Sequence, residues 1–221
     1  MTKGNITVQT ENIFPIIKKF LYSDHEIFLR ELISNAIDAT SKLEAIAGSG
    51  EIEGDLGDLT IHINVDKAAG TITISDRGIG MTEAEVKKYL NQLALSSAEE
   101  FVKKYQGKTN IIGHFGLGFY SAFMVADKVE VITRTYKKTP KAVRWVCDGN
   151  PEYEMEDHDR KERGTDIILH ISDDSKEFLE HDRIEGLLKK YCSFLPFHIQ
   201  MGMKTDIRWE GEGEDRKKIE E

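Results

Sequence analysis

Residues 59–65 (Leu-Thr-Ile-His-Ile-Asn-Val) and 71–75 (Thr-Ile-Thr-Ile-Ser) alternate apolar with polar side chains, and Asp66-Lys-Ala-Ala-Gly70 lies between them. Alternation puts the apolar side chains on one face of an extended chain, and the intervening residues are turn chemistry, so the pair reads as a β-hairpin. A sheet with one apolar face must bury it against something. The rest of the chain supplies helical patterns for that purpose, which points to an α+β fold: a largely antiparallel sheet with helices on one face.

Further elements follow from local patterns. Residues 5–10 alternate like a short strand. Ile13, Ile16, Ile17, Phe20 and Leu21 recur at helical spacing over 11–22, with Pro15 near the start, where proline is tolerated. Ser23 and Glu26 have the spacing of a capping box, opening a long helix to about Ala47 that Gly48 and Gly50 stop. Thr82 with Glu85 predicts a second capped helix over 83–94, and Ser97 with Glu100 a shorter one. A helical run, Phe119 to Val125, follows a glycine-rich stretch. Strands are expected at 128–135, 142–147 and 165–171, a helix at 182–194 stopped by Pro196, and closing strands at 197–203 and 205–209. The charged, glycine-interrupted tail over 210–221 reads as a linker.

The chain has 221 residues, enough for one large domain or two small ones. Its formal net charge is −9 (30 − 39), a poor balance for non-specific binding of nucleic acid or anionic membrane. Hydrophobic residues make up 39%, too many for a disordered chain. The longest apolar runs fall far short of a membrane span, and the start carries no signal-peptide pattern. Only Cys147 and Cys192 are present, which disfavours a disulfide framework; both read as core residues of a cytoplasmic protein. The seven histidines include no His-x-x-x-His and no pairing with cysteine at zinc spacing, so no metal cage is expected.

Three motifs carry chemistry. On the long helix, Glu31, Asn35 and Asp38 fall within an arc of roughly 60°, with Lys42 on the same line, while Leu29, Leu32, Ile33, Ala36, Leu43 and Ala47 form a stripe about 120° away. This row is either a solvated face or one edge of a polar site. Asp76-Arg-Gly-Ile-Gly80 follows a strand directly; it suits an ordinary turn or the close approach of a ligand amine. Gly113-His-Phe-Gly-Leu-Gly118 precedes a helix, where backbone N–H groups and the helix dipole favour phosphate. Its spacing is neither that of a Rossmann turn nor that of a P-loop, and a flexible loop is the alternative.

The three motifs in this order, acid-x-x-x-Asn-x-x-Asp, Asp-x-Gly-x-Gly and a glycine-rich segment opening a helix, resemble the ATP-binding fold of gyrase B, histidine kinases, mismatch-repair ATPases and the heat-shock protein 90 chaperones. Tyr22-Ser-Asp-His-Glu-Ile-Phe-Leu-Arg-Glu-Leu-Ile-Ser-Asn-Ala-Ile-Asp-Ala39 and Ile112-Gly-His-Phe-Gly-Leu-Gly-Phe-Tyr-Ser-Ala-Phe-Met-Val-Ala-Asp127 narrow it to the heat-shock protein 90 family, the bacterial HtpG type in particular. The resemblance spans about residues 5–209. It implies a two-layer α/β sandwich (the Bergerat fold), with ATP or ADP bound on the helical side. By motif position, Glu31 corresponds to the general base that activates water and Asn35 to the Mg²⁺ ligand, while Asp38 lines the pocket. Asp76 corresponds to the acceptor of the adenine amino group, and Gly80, Met81 and Thr165 to the base-pocket rim. Gly113, Gly116, Gly118 and Phe119 correspond to the phosphate-facing end of a mobile lid.

The resemblance further implies an N-terminal ATP-binding domain, residues 1–209, of a longer homodimeric chaperone. The middle and C-terminal domains would lie outside this sequence, and client proteins and co-chaperones would be the partners. The domain alone is expected to be monomeric and a weak ATPase without the middle domain's arginine. Two departures stand out: Leu95 occupies the place of the family's lid lysine, within Leu93-Ala-Leu-Ser-Ser-Ala98, and His114 that of a glutamine. Rival functions are a nucleotide-holding module without turnover, a kinase or topoisomerase subunit of the same fold, and an interaction scaffold.

Overall fold

The computed structural model describes residues 24–52, 54–91, 101, 112, 118–138, 140–150, 152–202, 207–210 and 217–220. The expected strand at 5–10, the helix at 11–22, Ser23, the Ser97–Glu100 box, Leu95, Gly113, His114 and Gly116 lie outside these residues.

Seven strands form one sheet: β1 (Ile61–Asp66), β2 (Thr71–Asp76), β3 (Ala126–Arg134), β4 (Ala142–Cys147), β5 (Glu154–His158), β6 (Gly164–Ile171) and β7 (Ile199–Met201). Their spatial order is β5-β4-β3-β6-β2-β1-β7, antiparallel except for the β1–β7 pair. The expected hairpin is present, and Gly70 closes its turn at φ +69° while Asp66 Oδ1 accepts from Ala69 N at 2.8 Å.

Register explains the core. Met155, Trp145, Val131, Ile167, Ile74, Ile63 and Met201 are successive cross-strand partners, so one apolar row crosses all seven strands. Helices cover this face: α1 (Ile27–Gly48), α2 (Glu83–Tyr89), α3 (His181–Cys192) and two 3-10 helices, Gly118–Met124 and Asp173–Leu179. Phe28, Leu32, Ile33, Phe123, Phe178, Ile184 and Leu187 join the strand residues in a single buried cluster. The α+β, two-layer reading holds. Cys147 and Cys192 are free and buried in that core.

Several boundaries differ from expectation. α1 begins at Ile27, later than a helix capped at residue 23 would, because the Glu26 carboxylate is drawn to α3: Arg183 and Lys190 donate to it at 2.7 and 2.6 Å, and Tyr191 Oη at 2.9 Å. Its C-terminus extends through Gly48 and stops at Gly50, whose φ of +81° lets Gly50 N reach Ala47 O and Glu51 N reach Ile46 O. The Thr82–Glu85 capping box is present, but α2 ends at Tyr89 rather than 94. The Phe119–Val125 helix is a 3-10 helix. β5 was invisible in the sequence because Glu154, Glu156, Asp157 and His158 show no apolar alternation; its charges suit an exposed sheet edge. Ile207–Glu210 does not close the main sheet. It pairs antiparallel with Lys217–Glu220, a strand within the segment read as a linker.

Candidate functional site

The apolar rows of the sheet end in a polar one. Thr133, Thr165 and Asp76 are cross-strand partners on β3, β6 and β2, on the same inward face as Val131, Ile167 and Ile74. All three are buried, Asp76 to 5% exposure. Thr133 Oγ1 lies 2.9 Å from Thr165 Oγ1 and accepts from Met81 N at 2.9 Å. Asp76 Oδ1 accepts from Gly78 N at 2.8 Å. Burial pushes the Asp76 carboxyl up to about 7, with the Gly78 hydrogen bond and the Arg160 charge pulling the other way. The structure therefore gathers Asp76, Met81 and Thr165, which the sequence places up to 89 residues apart (165 − 76). Thr133 links Met81 to Thr165 and was missed. Its sequence signal was a hydroxyl at the inward position of a strand otherwise lined by Val129 and Val131.

The Asp-x-Gly-x-Gly loop is more than a turn. A Cβ on Gly78 would lie 2.5 Å from the Ala39 carbonyl carbon of α1, and Ile79 N donates to Ala39 O at 3.1 Å. Gly80 adopts φ +55°, and a Cβ there would sit 1.9 Å from Arg134 O. Gly78 thus lets the loop press onto α1 one residue beyond Asp38, joining the first two motifs, while Gly80 lets it press onto the end of β3.

On α1, the row is not a solvated face. Asp38 and Lys42 are buried, Glu31 and Asn35 half-buried. Asp38 Oδ1 accepts from Ile112 N at 2.8 Å, which brings the start of the third motif to the helix. Lys42 lies over the Phe101 ring at 5.7 Å; burial lowers its pKa while Asp38 raises it. Arg30 donates to Glu31 Oε1 at 2.9 Å. A Cβ on Gly118 would come within 2.7 Å of Glu31 Oε2, so the glycine backbone lies directly against that carboxylate. Phe119 is buried among aromatic rings, 5.7 Å from Trp145 between centroids.

A cleft of about 640 Å³ opens beside this site and reaches Asp76, lined otherwise by His62, Ser75, Arg77, Arg160, Lys161, Glu162 and Asp166. His62, Ser75 and Asp166 are cross-strand neighbours on the outward face, opposite the apolar rows. Its cations are already paired within the chain: Arg160 with Asp166, Arg77 with Glu162, Lys161 with Asp159. The chemistry converges on the inward face instead.

Comparison with known proteins identifies the family of the chain. Residues 22–167 match a family described as histidine kinase-, DNA gyrase B-, and HSP90-like ATPase. The chain is 63% identical over 207 residues to the chaperone protein HtpG of Bacteroides fragilis strain 638R, covering 93% of this chain and 30% of that protein. It is 59% identical over 205 residues to the HtpG of Porphyromonas gingivalis strain W83, covering 92% and 30%. It is 43% identical over 207 residues to that of Idiomarina loihiensis, covering 91% and 32%. The chain thus spans about a third of the length of these curated relatives. No helix among the described residues is long and apolar enough to cross a membrane.

Proposed function

The chain belongs to the histidine kinase-, DNA gyrase B- and HSP90-like ATPase family, and from that premise we propose that the polar end of its sheet is the adenine pocket and the row on α1 the phosphate side. The observation that carries this reading is Asp76, a buried carboxylate at the inward end of β2 with one oxygen held by Gly78 N. An ionised carboxylate only accepts hydrogen bonds, so it pairs with the adenine amino group and repels the guanine carbonyl. Gly80, Met81 and Thr165 form the rim of the base site, a role supported by the linkage of Met81 and Thr165 through Thr133 and by the packing of Gly80 against Arg134.

Glu31 is the general base. Arg30 engages Oε1, which leaves Oε2, on the Gly118 side, to take a proton from water as the water oxygen attacks the γ-phosphorus. The bond to the β-phosphate oxygen breaks, giving ADP and inorganic phosphate; such a reaction depends on positioning and electrostatics. The Asn35 amide oxygen, between two carboxylates, is a hard donor that fits Mg²⁺, and Asp38 lines the same side. Bound Mg²⁺ would neutralise phosphate charge. Gly113, Gly116, Gly118 and Phe119 belong to the lid, whose closure is coupled to remodelling of client proteins in a longer cytoplasmic, homodimeric HtpG-like chaperone. Residues 1–209 are its ATP-binding domain and 210–221 its linker, with co-chaperones as further partners.

Calorimetry with ATP, ADP and GTP, with and without Mg²⁺, tests the reading. One equivalent of ATP or ADP is expected to bind, GTP at least about tenfold more weakly, since a site built for one hydrogen-bond pattern strongly rejects another. Equal affinity for ATP and GTP would remove Asp76 from base recognition.

A further inference from the structure

The hydroxyl of Thr133 is a junction with three neighbours. Met81 N donates to it at 2.9 Å, Gly164 O lies 3.3 Å away and can only accept, and Thr165 Oγ1 lies at 2.9 Å. A hydroxyl has one hydrogen to donate and two lone pairs with which to accept. One arrangement satisfies all three neighbours: Thr133 accepts from Met81 N, donates to Gly164 O and accepts from Thr165. If Thr133 donated to Thr165 instead, Gly164 O would lose this donor in a place that no water reaches, since Thr133 is 0% exposed. The carbonyl has little room to turn elsewhere. A Cβ on Gly164 would lie 2.1 Å from Asp76 O, so the Gly164 backbone is pressed against β2, at a φ of +111°.

Strand order gives this arrangement a direction. Thr133, Thr165 and Asp76 are cross-strand partners on β3, β6 and β2, so Thr165 stands between the other two. Its hydrogen is committed towards β3, and its lone pairs are left for the Asp76 side. Among the described residues, Thr133 is the one hydrogen-bond partner of the Thr165 hydroxyl. Turned to Asp76 instead, that hydrogen would occupy the carboxylate oxygen that Gly78 N leaves open. Thr165 and Asp76 thus stand side by side as acceptors with no hydrogen between them. Such a pair is matched by a ligand group with two hydrogens on one atom, which the exocyclic amino group of adenine has and the carbonyl of guanine lacks. The spacing agrees. Two acceptors about 2.9 Å from one nitrogen, along N–H bonds about 120° apart, lie about 5 Å from each other, the ordinary separation of directly opposite side chains in an antiparallel pair. We propose that Thr133 is a positioning residue for base recognition: it holds the Thr165 hydroxyl as an acceptor, so that Asp76 and Thr165 each take one hydrogen of the amino group. This rests on the reading of Asp76 as the adenine contact; Thr133 itself does not touch the base.

Calorimetry on the parent, Thr133→Val and Thr133→Ser tests this with two ligands: ADP, and the diphosphate of unsubstituted purine riboside, which carries hydrogen in place of the amino group. The parent is expected to prefer ADP by at least about tenfold. Thr133→Val keeps the shape and removes the hydroxyl, which frees the Thr165 hydrogen to turn to Asp76. ADP should then bind about fivefold more weakly, the worth of one hydrogen bond, while the purine compound stays within about twofold of its parent affinity. Thr133→Ser retains the hydroxyl and should keep the parent's preference. A merely structural role would weaken both ligands alike in Thr133→Val; that result, an unchanged preference, or the same selective loss in Thr133→Ser would overturn the proposal. Should Thr133→Val not fold, Thr133→Cys takes its place, since a thiol is of similar size and hydrogen-bonds only weakly, and the same selective loss of ADP is expected. A parent that binds the two ligands equally would overturn the reading of Asp76 itself, which separates the two failures.

Discussion

At the scale of single residues, the burial of Asp76 costs stability when its carboxyl is ionised. Its carboxyl sits at about 7 in the folded protein against an ordinary value of 3.8, because burial penalises the charged form. The folded state therefore holds this proton more tightly than the unfolded one. Its contribution to stability is complete below about pH 4 and is lost as the pH rises through about 7. Asp76→Asn carries no such burden, so the nucleotide-free variant should be more stable than the parent at pH 8 and lose that advantage at pH 5. It should also bind ADP more weakly by the worth of a charge-assisted hydrogen bond, about 1.5–3 kcal/mol. Denaturant midpoints at the two pH values, with ADP calorimetry, check both halves; a stability difference independent of pH would show that Asp76 is not a desolvated carboxylate. Gly118 acts differently. The closest atom to a Cβ there is Oε2, at the end of the flexible Glu31 side chain, so Gly118→Ala should fold normally yet displace the proposed base. In a full-length protein its ATP affinity should stay near that of the parent while turnover falls, as in Glu31→Ala. Undiminished turnover in either variant would take Glu31 out of the chemistry.

At the scale of elements, α1 positions the site and is itself held at both ends. Its C-terminus is closed by Gly50, and its N-terminus is tied to α3 through Glu26. Hydrogen bonds from Lys190, Arg183 and Tyr191 hold the Glu26 carboxyl down at about 2. Here the sign is reversed: the folded pKa lies below the ordinary 4.5, so the stabilisation is full above about pH 4.5 and disappears as the pH falls through about 2. Glu26→Gln should lower stability at pH 7 by on the order of 1 kcal/mol, since its partners are partly exposed, and by progressively less in acid. A pH-independent loss in thermal unfolding would mean that packing, not charge, joins α1 to α3. The glycine loop meets α1 at Ala39, where Gly78 lets the end of β2 come against the helix, while Gly80 lets the same loop come against Arg134 of β3.

For the whole molecule, the row of apolar partners across seven strands is what places a polar end at a defined position. Ile74 lies within it, is 1% exposed, and shares an inward face with Asp76 two residues on. Ile74→Ala should cost about 2–5 kcal/mol through lost burial and a residual cavity. A shift in unfolding free energy below about 1 kcal/mol would indicate that the layers are not close-packed there.

The sequence alone determined whatever depends on local order. Alternation declared the hairpin, the Thr82–Glu85 spacing declared a helix start, and three motifs in order declared the family. It could not show β5, whose charged side chains lack a period, nor the start of α1, which depends on ion pairs from α3 more than 150 residues away. It left open whether Glu31, Asn35, Asp38 and Lys42 faced water. Only packing against the third motif and the Asp76 loop decided that, because burial is a property of what lies opposite a helix face. The contacts of Thr133 and of His181 Nε2 with Gly202 O belong to the same class. Their partners are brought close by strand register and by the end of β7, and neither contact exists until the sheet has formed.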